Sequence, residues 1–222
     1  FNGEIYNFKK LASLLSDNEI INSSDTNLLV ELISKFGVEF TLKKIQGMYS
    51  ISIFDKKNNF LYLARDFFGK KPLYYFHNNE QIFFSSTLLP IIKNSEIKKE
   101  IDPKSLSYYF SYGFCPTEES IFRDIKKLKP NSYLKLDLKS WALSKFEIHK
   151  KSNTGKLKNK FELTKIETLL RNSVEKRLIS DVPVSLLLSS GIDSSLVSYY
   201  ASEVNKNIDT YTVGFSNSLY DE

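Results

Sequence analysis

The 222-residue sequence contains only one cysteine, one methionine and one tryptophan, and its lack of other features is equally informative. A single cysteine, Cys115, cannot form an internal disulfide, so a disulfide-stapled scaffold is excluded and a reducing cytoplasm is the expected compartment. No apolar run reaches the roughly 20 residues that a membrane-spanning helix needs. The first residues do not show a basic segment followed by an apolar one, as a secretory signal would. We therefore predict a cytoplasmic protein without membrane contact.

One stretch of the chain contains no acidic residue. The formal net charge is +5 and the pI is about 9.0, values that raise the question of nucleic-acid binding. Residues 149–160, "HKKSNTGKLKNK", contain five lysines and no acid, so the remainder is close to neutral. A short Lys/Asn/Gly-rich stretch between patterned segments is typical of a solvated linker. We predict a linker over 149–160 and no nucleic-acid partner.

The first 148 residues are dominated by a period of two. The segments "GMYSISIFD", "FLYLARD", "PLYYFH" and "IFFSS" are rich in aromatic residues and separated by turn residues, which predicts an antiparallel meander of four strands. Before them, residues 23–37 predict a helix capped by Ser24 or Asp25 and ended by Gly37. Strands with flanking helices predict an α+β layered domain.

After the linker the period becomes helical. Apolar residues recur at helical spacing over 161–180, and Pro183 precedes the apolar strand "VSLLL" at 184–188. A helix from Ser194 to Val204 and a strand over 209–215, "DTYTVGF", follow. Helices alternating with apolar strands predict the start of an α/β doubly wound parallel sheet.

The turn between strand 184–188 and the next helix is rich in hydroxyls and contains Gly191. In a parallel α/β unit this position directs free N–H groups at a ligand, and an anion suits them. No lysine lies in 184–200, so a Walker A loop is excluded, and GxGxxG is also absent. A pyrophosphate held by backbone and hydroxyl groups, with Asp193 as a Mg²⁺ ligand, fits the composition. A serine-rich helix cap with Asp193 on the helix dipole is the alternative reading.

Several motifs together resemble one family. The segment "SDVPVSLLLSSGIDSS" (180–195) is similar to the strand and SGGxDSS pyrophosphate loop of glutamine-hydrolysing asparagine synthetases. "FNGEIYN" (1–7) and "LARDFFGKKPLYY" (63–75) resemble two glutaminase motifs of the same family, in the same order. The resemblance covers essentially the whole chain.

The resemblance implies a fold for each half. Residues 1–148 would form a four-layer α/β/β/α N-terminal-nucleophile glutaminase sandwich of the glutamine amidotransferase type 2 class. Residues 161–222 would begin an α/β parallel-sheet synthetase domain of the PP-loop ATP pyrophosphatase type. In the family the nucleophilic cysteine and an arginine for the glutamine carboxylate precede the position of Phe1. The expectation is therefore a fragment truncated at both ends and inactive alone.

The resemblance also assigns roles in the glutaminase half. Asn2 and Gly3 match oxyanion-hole donors, and Asn2, Gly3, Glu4 and Asp25 match the glutamine-binding positions, with the two carboxylates near the substrate ammonium. From the residues alone, a plain turn is the favoured reading of Asn2-Gly3 and a helix cap that of Asp25, and Asp25 can combine both roles. Cys115 does not match the nucleophile and is expected to be a structural thiol. Arg65 and Asp66 are expected to form an ion pair that supports a turn and to have no catalytic role.

In the synthetase half the resemblance assigns an ATP site. The matching loop residues are Ser189, Ser190, Gly191, Asp193, Ser194 and Ser195, with Asp193 as the Mg²⁺ ligand. Leu188 and Val213 match positions near the nucleoside, although packing in the core is an alternative role for both. Ser190 stands where the family has its first glycine; because every other element of the loop is intact, we expect serine to be tolerated there and the ATP site to be functional.

The resulting functional hypothesis is ATP-dependent asparagine synthesis with glutamine as the amide donor. The expected cofactors are ATP and Mg²⁺, and the expected substrates are glutamine and aspartate or another carboxylate, in a homodimer. Two alternatives remain: an amidotransferase that aminates a different carboxylate in polysaccharide or small-molecule biosynthesis, and a catalytically inactive nucleotide-binding scaffold.

Overall fold

The computed structural model describes residues 1–15, 24–116, 118–150, 163–180 and 182–216. The chain divides into two compact units, Phe1–Ser152 and Asn153–Glu222. The division falls within the predicted linker, of which residues 151–160 lie outside the described ones, so the bounds of the linker stay a prediction. None of the helices in the described part of the chain is long and apolar enough to cross a membrane.

The described part of the first unit consists of short strands and short helices. The strands are β1 (Asn2–Ile5), β2 (Gly47–Asp55), β3 (Phe60–Arg65), β4 (Tyr74–His77), β5 (Ile82–Ser85), β6 (Ile125–Lys127), β7 (Ser132–Asp137) and β8 (Leu143–Glu147). The helices are α1 (Phe8–Ala12), α2 (Asp25–Phe36), α3 (Val38–Lys44), α4 (Leu88–Ile92) and α5 (Pro103–Tyr112).

Helix α2 begins and ends where the sequence predicts. The Ser24 hydroxyl accepts a hydrogen bond from the Asn27 N–H at 3.3 Å, so Ser24 and not Asp25 is the N-cap. Gly37 ends the helix with φ +82°, a conformation that favours glycine. The Asp25 carboxylate is therefore available for a different contact.

The strands form two antiparallel sheets, so the predicted single meander is wrong. One sheet has the order β1-β2-β3-β7-β8, and the other has the order β5-β4-β6. Strand β3 pairs with β7 instead of β4, with Arg65 opposite Ser132. The chain leaves the first sheet after β3 and enters the second at β4.

The connection between the sheets is held by Arg65 and Asp66, both buried. The Arg65 guanidinium donates to the carbonyls of Gly69 (2.6 Å), Leu128 (2.7 Å) and Lys71 (2.8 Å). Burial lowers the pKa of Arg65. The Asp66 carboxylate accepts from four backbone N–H groups, those of Tyr49, Phe68, Lys70 and Lys71. The two residues support the turn, but through backbone groups; the predicted ion pair between them is not among the salt bridges of the described residues.

Three hydrophobic clusters stack the elements into four layers. The largest lies between helices α1–α3 and the five-stranded sheet, and includes Leu28, Leu32 and Tyr62. The second joins the two sheets through Leu63 and Leu134 on one side and Leu73 and Leu128 on the other. The third packs α4 on the three-stranded sheet through Ile91, Phe76 and Ile125. This order is the predicted α/β/β/α sandwich.

The second unit contains α6 (Leu163–Glu175), β9 (Leu186–Leu187), α7 (Ile192–Val204) and β10 (Thr210–Tyr211) in its described part. Strands β9 and β10 pair in parallel, as predicted for a crossover through a helix. Each strand has only two paired residues, and α6 ends before the predicted residue 180. Helix α7 begins at Ile192, earlier than predicted, because the extended Gly191 is its N-cap.

Candidate functional site

Strand β1 presents Asn2 and Glu4 on the same face. Ile5 is fully buried in the cluster beneath the helices, and because side chains alternate along a strand, Asn2 and Glu4 lie on the opposite face. The Asn2 amide Nδ2 donates to the Ser86 hydroxyl just after β5, at 3.1 Å. Nothing in the sequence pattern pointed to Ser86, because it comes from the other sheet.

Glycine is the only residue type that fits at position 3. A Cβ there would lie 2.0 Å from the Met48 carbonyl oxygen of the paired strand, and φ is +154°. The Tyr6 N–H donates toward β2, to the Gln46 carbonyl at 2.8 Å. Since backbone groups alternate in direction along a strand, the N–H groups of Gly3 and Ile5 face away from β2. The Gly3 N–H has no acceptor among the described residues.

Asp25 is brought to this same edge of β1. Its Oδ2 accepts the hydrogen bond of the Ile5 N–H at 3.2 Å, and both groups are partly buried. Asp25 is also the first residue of α2, where a carboxylate interacts favourably with the helix dipole. The structure therefore brings together Gly3 and Asp25, which the sequence separates by α1 and the loop after it.

The arrangement around β1 combines donors with carboxylates. A side-chain amide and a backbone N–H that faces away from the paired strand suit the oxygen of a tetrahedral intermediate, and carboxylates suit an ammonium group. Glu4 is half-buried on this strand.

Cys115 makes a separate contact: its Sγ donates to the Ser105 carbonyl at 3.6 Å, which agrees with a structural thiol.

The second group of predicted residues surrounds the N-terminus of α7. Its first backbone bond runs from the Ser195 N–H to the Gly191 carbonyl at 3.1 Å, and Gly191 makes no side-chain cap. The N–H groups of the first turn thus remain directed outward, as an anion site requires. A Cβ at Gly191 would lie 3.3 Å from the Ser189 hydroxyl. Its φ of −66° shows that compactness, not a left-handed backbone, is what glycine supplies here.

The serine hydroxyls of the loop bond mainly to one another and to the loop backbone. Ser189 and Ser194 hydroxyls are 2.9 Å apart, and those of Ser194 and Ser195 reach the Gly191 carbonyl at 3.0 and 2.9 Å. The Ser190 hydroxyl is exposed and makes no hydrogen bond within the described residues. Ser190 is also not among the residues with positive φ. The serine at this position therefore carries no left-handed strain.

Leu188 and Val213 lie at the carboxyl ends of the paired strands β9 and β10. The Leu188 N–H donates to the Tyr211 carbonyl at 2.9 Å, and the Leu188 carbonyl accepts from the Thr212 hydroxyl at 2.8 Å. Leu188 is half-buried and Val213 is 73% exposed. Both residues thus flank the serine loop, at the sheet edge where α/β folds bind ligands.

Asp193 is exposed in the first turn of α7. No group of three or more metal-binding side chains lies together within the described ranges. Mg²⁺ in nucleotide sites usually takes only one or two carboxylates and completes its shell with phosphates and water. A single accessible carboxylate beside a turn with outward N–H groups therefore fits a Mg²⁺-nucleotide complex and does not fit a metal site built from protein alone.

Hydrogen-bond donors and a carboxylate at the edge of β1 in a four-layer sandwich, followed by an open turn in a parallel α/β unit, are the features expected of a glutamine amidotransferase joined to a nucleotide-binding domain. The chain belongs to the glutamine amidotransferase family: the family model "Glutamine amidotransferase domain" matches residues 1–147. The model "Asparagine synthase" matches residues 165–222. The predicted fold class, a glutaminase sandwich followed by the start of a synthetase domain, is confirmed.

Curated relatives agree with both matches. A putative glutamine-hydrolysing asparagine synthetase 2 of Methanocaldococcus jannaschii is 33% identical over 227 residues, covering 100% of this chain and 44% of the relative. Asparagine synthetase 1 of Bacillus subtilis is 32% identical over 227 residues, covering 100% and 35%. The resemblance to glutamine-hydrolysing asparagine synthetases is therefore confirmed, and the chain spans less than half the length of these relatives.

Proposed function

We propose that the protein of which this chain is part is a glutamine-hydrolysing asparagine synthetase. Glutamine and water give glutamate and ammonia in the first unit. In the second, aspartate and ATP give an acyl-adenylate and pyrophosphate, and ammonia then displaces AMP to give asparagine. The observation that carries the proposal is the presence, in one chain, of the Gly3–Asp25 edge and of the open turn before α7.

In the glutaminase reaction the residues of β1 stabilise charge. The Asn2 amide and the Gly3 N–H receive the oxyanion that forms when the glutamine amide is attacked. The carboxylates of Glu4 and Asp25 hold the α-ammonium group of glutamine, since charge-assisted hydrogen bonds are the strong ones. Asp25 is already oriented by the Ile5 N–H, so little conformational entropy is lost when substrate binds.

In the synthetase reaction the turn before α7 holds the leaving pyrophosphate. The outward N–H groups of the first turn bind its oxygens, and the exposed Ser190 adds a hydroxyl. Asp193 would hold Mg²⁺, which supplies counter-charge to the phosphates. Leu188 and Val213 border the space for the nucleoside. We place this enzyme in the cytoplasm as a homodimer.

The proposal is tested on the complete natural protein. With ATP, Mg²⁺ and amide-¹⁵N glutamine, labelled asparagine should form from aspartate. Ammonium should be able to substitute for glutamine as the nitrogen donor. Asp193→Asn should abolish pyrophosphate release and leave glutamine hydrolysis intact. Amination of another carboxylate and not of aspartate would favour the alternative amidotransferase. Absence of ATP-dependent turnover with every acid would favour an inactive scaffold.

A further inference from the structure

Ser86 lies in the short connection between β5 and α4, and the residues on both sides of it are held in place. Ser85, the last residue of β5, pairs with Tyr74 of β4, and its hydroxyl accepts a hydrogen bond from the Thr87 N–H at 3.2 Å. Helix α4 begins at the next residue, and its Ile91 is buried against the three-stranded sheet. The backbone of Ser86 is therefore fixed by the second sheet.

The side chain of Asn2 depends on Ser86 for its orientation. Asn2 is exposed on β1, and the bond from its Nδ2 to the Ser86 hydroxyl, 3.1 Å long, is its only side-chain hydrogen bond among the described residues. Two rotatable bonds join the amide to the backbone, so an amide without this partner would populate several orientations. The contact thus ties a mobile group of the first sheet to a fixed group of the second.

The planarity of the amide gives this contact a direction. The Nδ2 atom of Asn2 carries two hydrogens in the amide plane, of which one points at Ser86. Holding that hydrogen fixes the direction of the other, which can be donated to a different acceptor. An oxyanion donor needs such a fixed direction, because preorganised donors stabilise the developing charge without reorganising during the reaction.

We propose that Ser86 is a positioning residue for glutamine hydrolysis, whose hydroxyl holds the Asn2 amide in the direction in which it meets the oxyanion. Ser86 acts through Asn2 and not on the substrate. The inference rests on the proposed glutaminase function and adds to it a residue from the second sheet. Loss of the Ser86 hydroxyl should have a smaller effect than loss of Asn2, because the amide is still present but no longer held.

Glutamine hydrolysis by the complete natural protein tests the proposal. Ser86→Ala should lower kcat about 3- to 10-fold, which is the effect of losing one neutral hydrogen bond. KM for glutamine should stay within about twofold, because the oxyanion is absent from the bound substrate. Ser86→Thr keeps the hydroxyl and should retain most of the activity. Thr87→Val is the matched control: it removes the neighbouring hydroxyl, which does not cap α4, and should leave kcat unchanged.

A double-mutant cycle separates positioning from general support of the fold. When Asn2 is already Ala, Ser86→Ala should cause no further loss of kcat, since no amide is left to orient. Side-chain ¹⁵N relaxation supplies a measurement that needs no turnover. The Asn2 amide should become more mobile on the ps–ns timescale in Ser86→Ala and stay rigid in Thr87→Val.

Three results would overturn the inference: an unchanged kcat in Ser86→Ala, a loss of the same size when Asn2 is already Ala, or an Asn2 amide that stays equally rigid without the Ser86 hydroxyl. Each of them leaves the proposed function intact, because the natural protein still hydrolyses glutamine. If the natural protein itself hydrolyses no glutamine, the proposed function fails, and the role of Ser86 fails with it.

Discussion

The carboxylate of Asp25 accepts a hydrogen bond from the backbone N–H of Ile5 at 3.2 Å, joining the start of α2 to the outer edge of β1. The same edge carries the N–H of Gly3, for which the described residues provide no acceptor. This contact brings residues from two distant sequence segments to one candidate site, where we propose that a carboxylate and an oxyanion donor act on the same substrate. The following predictions for the complete protein begin from it.

Replacing Asp25 by Asn removes the charge but keeps an oxygen that can accept from Ile5. If the carboxylate holds the glutamine ammonium, KM for glutamine should rise about 10- to 100-fold, the equivalent of a charged hydrogen bond worth about 1.5–3 kcal/mol. The matched control is Ser24→Ala, which removes the cap of the same helix, costs about 1 kcal/mol of stability and should leave KM unchanged. An unaltered KM in Asp25→Asn would restrict Asp25 to a structural role.

Replacing Asn2 by Ala should remove an oxyanion donor. Glutamine-dependent synthesis should fall about 10²–10³-fold in kcat while ammonium-dependent synthesis survives. Ser86→Ala is the control, because it removes the hydrogen-bond partner of Asn2 and leaves the amide in place. Equal loss in both synthetic reactions, or in both variants, would contradict the role given to Asn2.

Replacing Ser190 by Gly tests whether the turn before α7 can bind ATP with its natural serine. Since Ser190 is not in a positive-φ conformation, glycine relieves no strain, and pyrophosphate release with saturating ammonium should change only a few-fold. Ser190→Val, which fills the loop with a β-branched side chain, should reduce ATP affinity. Activity that emerges only in Ser190→Gly would show that the natural loop is inactive.

The turn after β3 should depend strongly on Asp66. Asn at this position cannot accept from four N–H groups as a carboxylate does, and hydrogen bonds to a buried charge contribute about 1.5–3 kcal/mol each. We expect Asp66→Asn to lower the free energy of unfolding by about 3 kcal/mol or more in urea titrations. The exposed Asp124→Asn should have almost no effect. Similar stability of the two variants would refute the structural role of Asp66.

Histidine 77 should make stability depend on pH. Burial lowers the pKa of His77 below its usual 6.5, and its Nε2 finds no partner within the described residues. The unfolded chain therefore takes up the proton more readily than the folded one, so this contribution is present above pH 6.5 and is lost as pH falls toward the lower folded pKa.

Urea unfolding followed by the single tryptophan, Trp141, can measure this effect, since its ring stacks on His77 at 5.8 Å. The loss of stability between about pH 7.5 and 5.5 should be smaller in His77→Phe than in the natural protein. His149→Gln, a change at the only other histidine in the sequence, is the matched control variant. An identical loss in His77→Phe would show that His77 does not titrate across folding.

Local chemistry determined much of this protein directly from the sequence. Ser24 and Gly37 bound α2 because capping and positive φ involve only near neighbours, and Gly191 marks the turn before α7 for the same reason. The alternation from strand to helix after β9 was sufficient to predict a parallel pair. The two family motifs at residues 1–7 and 180–195 located both candidate sites.

Contacts between distant residues were decided only by the tertiary structure. The predicted meander is wrong after β3, where Arg65 and Asp66 lie. The Arg65 guanidinium donates to the distant Leu128 carbonyl, and the chain continues from this turn into the second sheet. The link from Asp25 to Ile5 and the contact of Asn2 with Ser86 have the same origin. Sequence patterns report which face of an element is buried, but not which strand pairs with which, because pairing depends on where the chain turns in space.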